Sequence, residues 1–144
     1  MSEVREFLEK HLQGIFDYDL ALYAATTAPD LGLYEWYITP NRIDGIPFHD
    51  FLMTEAARAG ATPLTGEGLL DNTAGQRPAQ PPRVRFDLSN YREQVYGDTA
   101  IASYTLLVST STGSGVTVRS YNESRVIVRF ADGLKVVHVH KSPS

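Results

Sequence analysis

The stretch VTVRSYNESRVIVRF, residues 116–130, decides the fold. Its residues alternate. Arg119, Tyr121, Glu123 and Arg125 fall on one side of an extended chain, and Val118, Val126 and Val128 fall on the other. A period of two sustained this long is a strand, and Val, Ile, Thr and Tyr suit a pleated surface. Working outward, Asp132-Gly133 is a tight hairpin signal, and Leu134 to His140 is strand again. On the other side, Thr112 to Gly115 is a Gly/Ser turn, preceded by a long β-prone run from Ala100 to Thr110. Gly97-Asp98 is a further turn, and before it Val84, Phe86 and Leu88 alternate with charged or polar neighbours in a run that continues through Tyr96. Four strands joined by short turns form an antiparallel meander.

The front of the chain is helical. From Ser2, an N-cap, Val4, Phe7, Leu8, Leu12 and Ile15 repeat at helical spacing, with Glu3, Arg5, Glu6, Glu9 and Lys10 on the other face. The pattern weakens at Gly14, resumes through Leu20, Leu22 and Tyr23, and closes at Pro29, which predicts a helix broken near Gly14 to Tyr18. Leu31 to Thr39 is aromatic and β-branched, a short strand pair or an extended arm. Asp44-Gly45 is a turn, and Pro47 stands where the first turn of a helix has no use for an N–H. Phe48, Phe51, Leu52, Glu55 and Ala56 fill that helix to about Gly60. Residues 61–82, rich in Gly, Pro, Thr, Ala and Gln, read as a long loop. Helices in front and strands behind give an α+β class, a curved antiparallel sheet wrapping N-terminal helices.

Composition removes several functions. The 144 residues fit one domain, 1–144, and a second would be too small to bury its own core. A net charge of −4, with 13 dispersed basic residues, argues against nucleic acid as a partner. With no cysteine, disulfides, thiolate metal sites and cysteine nucleophiles are excluded. The charged, amphipathic N-terminus is unlike a secretion signal, and no apolar run approaches the roughly 20 residues that cross a bilayer. The expectation is a cytoplasmic protein with no membrane partner.

Three stretches carry a resemblance. Tyr34-Glu35 leads through Asn41-Arg42-Ile43-Asp44-Gly45-Ile46-Pro47 to Phe48-His49-Asp50-Phe51. The strand motif is Glu123-Ser124-Arg125-Val126, and the ending is Asp132-Gly133 followed by Val137-His138-Val139-His140-Lys141-Ser142. Together they resemble the association (hub) domain of calcium/calmodulin-dependent protein kinase II, within the nuclear transport factor 2-like (cystatin-like, SnoaL-like) superfamily. The resemblance spans about residues 3–143 and implies a cone-shaped cystatin-like fold. It also implies pairing of cones back to back through their sheets and closure of the dimers sideways into a ring. Against this pattern, residues 61–82 stand as an insertion, and Trp36-Tyr37 replace a Pro-Glu pair. Leu106 and Lys141 stand where the kinase hub has arginines. The chain contains neither a Gly-rich nucleotide loop nor a kinase catalytic loop, so a free-standing hub-like protein or a piece of a longer one is expected.

Under the resemblance Arg125 points into the cone, where a buried guanidinium needs a carboxylate, and Glu35 and Glu123 are available. Two readings stand: a structural ion pair bracing the cone, or a clamp for a small carboxylate assisted by Lys141 and His49. Tyr104 completes the pocket candidates. His49, near a helix N-terminus, is either a pocket-lining or core histidine satisfied by a neighbour, or a general base or ligand contact. His138 and His140 share a strand face, where an interface or structural role outweighs metal binding, which would need a third ligand such as His11. With Trp36 and Tyr37 they are the interface candidates. Asp17, Asp19 and Asp50 compare with the general bases of the superfamily's isomerases and cyclases, but lack an evident oxyanion partner. The expected function is self-assembly into a ring-like homo-oligomer around a polar pocket that takes a small carboxylate. The alternative is a small-molecule-binding or isomerase/cyclase-type enzyme. No cofactor and no metal are expected.

Overall fold

The computed structural model describes residues 1–59 and 83–144, so the sequence reading of 61–82 as a loop insertion lies outside the described residues. Helix α1, Glu3–Phe16, begins at Ser2, whose side chain accepts a hydrogen bond from the Arg5 amide at 3.1 Å. Glu3 and Glu6 in its first turn complement the helix dipole. Its apolar stripe, Val4, Leu8, Leu12 and Ile15, is buried. The helix stops at Tyr18, whose φ of 54° is left-handed, and Asp19 then caps α2, Leu20–Ala25. Gly14 is explained by this fold-back: a Cβ there would stand 2.8 Å from Leu22 Cδ2.

Strand β1, Thr27–Glu35, leads through a turn to β2, Ile43–Asp44, and helix α3, Ile46–Ala59. The meander follows: β3, Arg83–Tyr96; β4, Thr99–Thr112; β5, Gly115–Phe130; β6, Gly133–Pro143. These elements form one sheet in the order β2-β1-β6-β5-β4-β3. The meander pairs are antiparallel as the turns dictate, and β1 joins β6 in parallel, Gly32 opposite His138 and Glu35 opposite Lys141. The parallel pair has no local turn to announce it. Bulges after Ser89 in β3 and at Val126/Ile127 between β5 and β6 bend the strands, giving the open, curved sheet of the cystatin-like fold.

The inward face of this sheet and the helices share one core. Ala100, Ala102, Tyr104, Leu106 and Val108 of β4, Ile127 of β5, Val136 and Val139 of β6 and Leu31 and Leu33 of β1 meet Leu8, Leu12 and Ile15. Phe16 stacks on Phe86 of β3 at 5.0 Å, tying α1 to that end of the sheet. No described helix is long and apolar enough to cross a membrane.

Candidate functional site

Alternation along β5 turns Glu123 and Arg125 inward, and each is only 2% exposed. Strand register hands them partners. Tyr104 lies opposite Glu123, Glu123 opposite Lys141, and Lys141 opposite Glu35, so one row crosses β4, β5, β6 and β1 on the inner face. Directly opposite side chains are near enough to touch. The Tyr104 hydroxyl donates to Glu123 Oε1 at 2.7 Å, and Lys141 Nζ lies 3.2 Å from Glu123 Oε2. Arg125 donates through Nε to the Tyr104 hydroxyl at 3.0 Å and to Glu123 Oε1 at 3.3 Å. A single buried carboxylate thus faces two cations.

The helices close the row from above. His11 Nδ1 is 2.7 Å from Thr26 Oγ1, and His11 Nε2 is 3.3 Å from Arg125 Nη1. Thr26 gives its own proton to the Leu22 carbonyl at 2.8 Å, so it accepts from His11 Nδ1–H. That tautomer leaves Nε2 to accept from Arg125. Burial first, and then the Arg125 charge, hold the His11 pKa well below its usual value, in keeping with a neutral ring.

Glu35 ends the row. Its Oε1 is 2.7 Å from His49 Nε2, its Oε2 accepts from the Tyr37 hydroxyl, and His49 Nδ1 meets the Tyr23 hydroxyl. Burial alone would raise the Glu35 pKa. The His49 ring, Lys141 and Tyr37 outweigh it and bring the value down to about 2. Burial likewise opposes ionisation of Glu123, and Lys141 and Arg125 reverse it, lowering its pKa. Lys141 is lowered, chiefly by burial, with Glu123 and Glu35 pulling the other way. Its ammonium also lies 5.7 Å from the Tyr37 ring and 5.8 Å from the Tyr121 ring. The result is a buried, charge-balanced chain of groups rather than an isolated ion pair.

The structure brings all six pocket candidates, Arg125, His49, Lys141, Glu35, Tyr104 and Glu123, into this connected set. Glu35 reaches it through His49, with Lys141 opposite it on β6. His11 and Tyr23 belong to the set although sequence reasoning gave them no place in it. Their signal was a polar or hydroxylated side chain standing on the apolar face of a helix, since His11 is fully buried and Tyr23 1% exposed. Tyr37 points its hydroxyl at Glu35, and Trp36, 40% exposed, lies tilted against the Tyr121 ring with centroids 5.5 Å apart. His138 and His140 lie on the outer face beside Tyr34, with ring centroids 6.4 and 5.3 Å away. Leu106 is fully buried in the core.

The three aspartates divide. Asp19 caps α2 and Asp17 accepts from Gln13 at 2.9 Å, so both serve the helix break. Asp50 has its pKa raised, mainly by burial and against the pull of His49. Among the described residues no group of His, Asp and Glu is arranged to hold a metal ion.

Known proteins place this geometry. The chain is similar to the hub of calcium/calmodulin-dependent protein kinase II from S. rosetta, with 23% identity, a TM-score of 0.72, and 98% and 94% of the two chains covered. It is similar to the association domain of the same kinase from C. elegans, with 24% identity, a TM-score of 0.73, and 97% and 92% covered. A nuclear transport factor 2-like protein from Cytophaga hutchinsonii shares the fold at 12% identity, a TM-score of 0.69 and complete coverage of both chains. No curated protein matches the sequence closely. The family profile described as "calcium/calmodulin dependent protein kinase II association domain" matches residues 1–63 and 67–144. The chain therefore belongs to the calcium/calmodulin-dependent protein kinase II association-domain family.

Proposed function

We propose that this chain is a self-assembly domain whose copies dock through the outer face of the sheet and close into a ring-like homo-oligomer. One observation carries the reading. Not one outward position from Thr99 to Ser111 of β4, or from Val116 to Phe130 of β5, is charged. Those positions hold Ile101, Leu107, Val118, Val126 and Val128 among Ser, Thr and Asn. Charge returns on the flanking strands, with Arg85, Asp87 and Arg92 on β3 and Lys135 on β6. An uncharged centre with a charged rim is the anatomy of a protein interface, whereas a face left to water ordinarily carries Lys, Glu or Arg. The outward His138 and His140, with Tyr34, border that face. Native mass spectrometry of the purified chain is expected to return multiples of 16.0 kDa well above a dimer. A monomer at micromolar concentration overturns the reading.

A second reading concerns the buried row. Two cations, Arg125 and Lys141, facing one inner-face position are suited to a small carboxylate that competes with Glu123. On this reading, thermal stability rises with acetate or succinate, and Arg125→Lys abolishes the rise because the bidentate fork is lost. An equal rise in both proteins would reflect general anion effects and would remove this reading.

A further inference from the structure

Strand β3 ends the sheet, and among the described residues no strand lies beyond it. Such an edge offers a row of N–H and C=O groups to any passing chain, and proteins usually blunt it with bulges, prolines or charges of one sign. Here the blunting is confined to one half. Register with β4 runs unbroken from Arg83 opposite Ser111 to Ser89 opposite Thr105. It shifts only after Ser89, where Asn90 takes a φ of 53°. The straight run Arg83-Val84-Arg85-Phe86-Asp87-Leu88-Ser89 has no proline, and its charges are of both signs.

That run is complementary to itself. Val84, Phe86 and Leu88 pack inward on the core, while Arg85 and Asp87 are exposed on the outer face, their heads 3.5 Å apart along the same strand. Two copies laid antiparallel with Phe86 on the dyad set Arg85 opposite Asp87 twice, and Val84 opposite Leu88 twice. Each pair keeps to its own face of the sheet, and the four charges alternate in sign. Other registers fail. A dyad on Arg85 or on Asp87 sets that residue against its own copy, like charge on like charge. A dyad on Val84 sets Arg83 against Arg85. A dyad on Leu88 loses both ion pairs and runs into the bulge. A dyad between residues turns inward side chains toward outward ones. Opposite charges directly across strands favour a register, and like charges disfavour it.

We infer that the β3 edge of one copy pairs antiparallel with the β3 edge of a second, with Phe86 at the two-fold axis, joining two sheets into one continuous sheet. This rests on the self-assembly reading and specifies one of its contacts. The contact is isologous and closes at two copies, so the outer face must carry growth beyond the pair. It also brings the two Phe16–Phe86 stacks side by side across the dyad.

The chain has no cysteine, so introduced thiols report on contact without background. In this register Arg83 of one copy faces Ser89 of the other, both exposed. Opposite residues of antiparallel strands have Cα atoms about 4.5–5.5 Å apart, inside the range a disulfide spans. The double variant Arg83→Cys/Ser89→Cys is therefore expected to form a covalent dimer on mild oxidation. Each single variant is not, because its two thiols lie roughly 20 Å apart along the strands. Adding Asp87→Arg, which sets arginines opposite one another, is expected to cut cross-linking by about tenfold, and the exchange Arg85→Asp/Asp87→Arg to restore it. Circular dichroism checks that each variant is folded. If the assembly keeps its mass but the double variant cross-links no better than the singles, edge pairing is wrong and self-assembly stands. If the parent chain is a monomer, both fall.

Discussion

The two faces of β5 are filled in opposite senses. Inward, where water is excluded, the strand places Glu123 and Arg125; outward it places Val118, Asn122, Ser124, Val126 and Val128. An ordinary half-buried strand does the reverse. The inner face tolerates charge because register gives each charged group a partner on the neighbouring strand: Tyr104 on one side of Glu123, Lys141 on the other, and Glu35 beyond. The outer face has no such internal compensation to make, and its lack of charge makes sense against another protein surface. The same strand therefore supports a self-sufficient interior and, on the proposed reading, an exterior that a second copy completes.

The inner face is where a single change is expected to do most harm. Glu123→Ala leaves Arg125 and Lys141 facing each other without the carboxylate between them, and costs about 3–5 kcal/mol in urea unfolding. Replacing Glu123 and Arg125 together by Leu and Met of similar volume should cost less than Glu123→Ala alone, because Lys141 then still answers Glu35 and no charge is stranded. If the single change is the milder one, the row is not mutually compensated as described.

Acid attacks the same face more gradually. Glu35 has a folded pKa of about 2 against a usual 4.5. Its contribution, roughly 3 kcal/mol, is present above pH 4.5 and lost as the pH falls toward 2. His11, held neutral by burial and by Arg125, also has a depressed pKa, so its contribution is intact above 6.5 and erodes below. The urea midpoint should thus begin to fall near pH 6.5 and steepen below 4.5. Glu35→Gln should flatten the lower limb alone, and an unchanged limb would mean that another carboxylate governs it.

On the outer face the expected effect on folding is smallest. Ser124→Lys places a charge at the uncharged centre and should change unfolding free energy by no more than about 0.5 kcal/mol. Light scattering should nevertheless show a smaller particle. A stable variant of unchanged mass would locate the contact elsewhere.

Much of this was legible in the chain, and the boundary of legibility is physical. Gly14, the Asp132-Gly133 hairpin and Pro47 act through local backbone geometry, so the broken helix, the last turn and the third helix could be placed from sequence. The alternation in residues 116–130 likewise grouped Tyr121, Glu123 and Arg125 on one side of the strand, while the inward direction of that side came from the resemblance alone. The parallel pairing of β1 with β6 joins residues about a hundred positions apart and has no local signature. His11 and Tyr23 were overlooked for the same reason, because their partners Arg125 and His49 come only from the tertiary fold. Glu35 illustrates the limit: it stood with Glu123 as an available carboxylate for Arg125, and the row of strands gave it a lysine and a histidine.

The length of β5 has one more consequence. Its pairing with β6 begins at Tyr121, opposite Pro143, while β4 continues beside it to Gly115. Among the described residues the segment from Gly115 to Ser120 is thus laced on one margin only, and nearly all of it is exposed. Amide protons there should trade with deuterated solvent through small local fraying, long before the doubly laced stretch from Tyr121 to Val128 releases its own. A single strand would then report two opening energies, and covering its loose end by a neighbouring copy would slow the faster of the two.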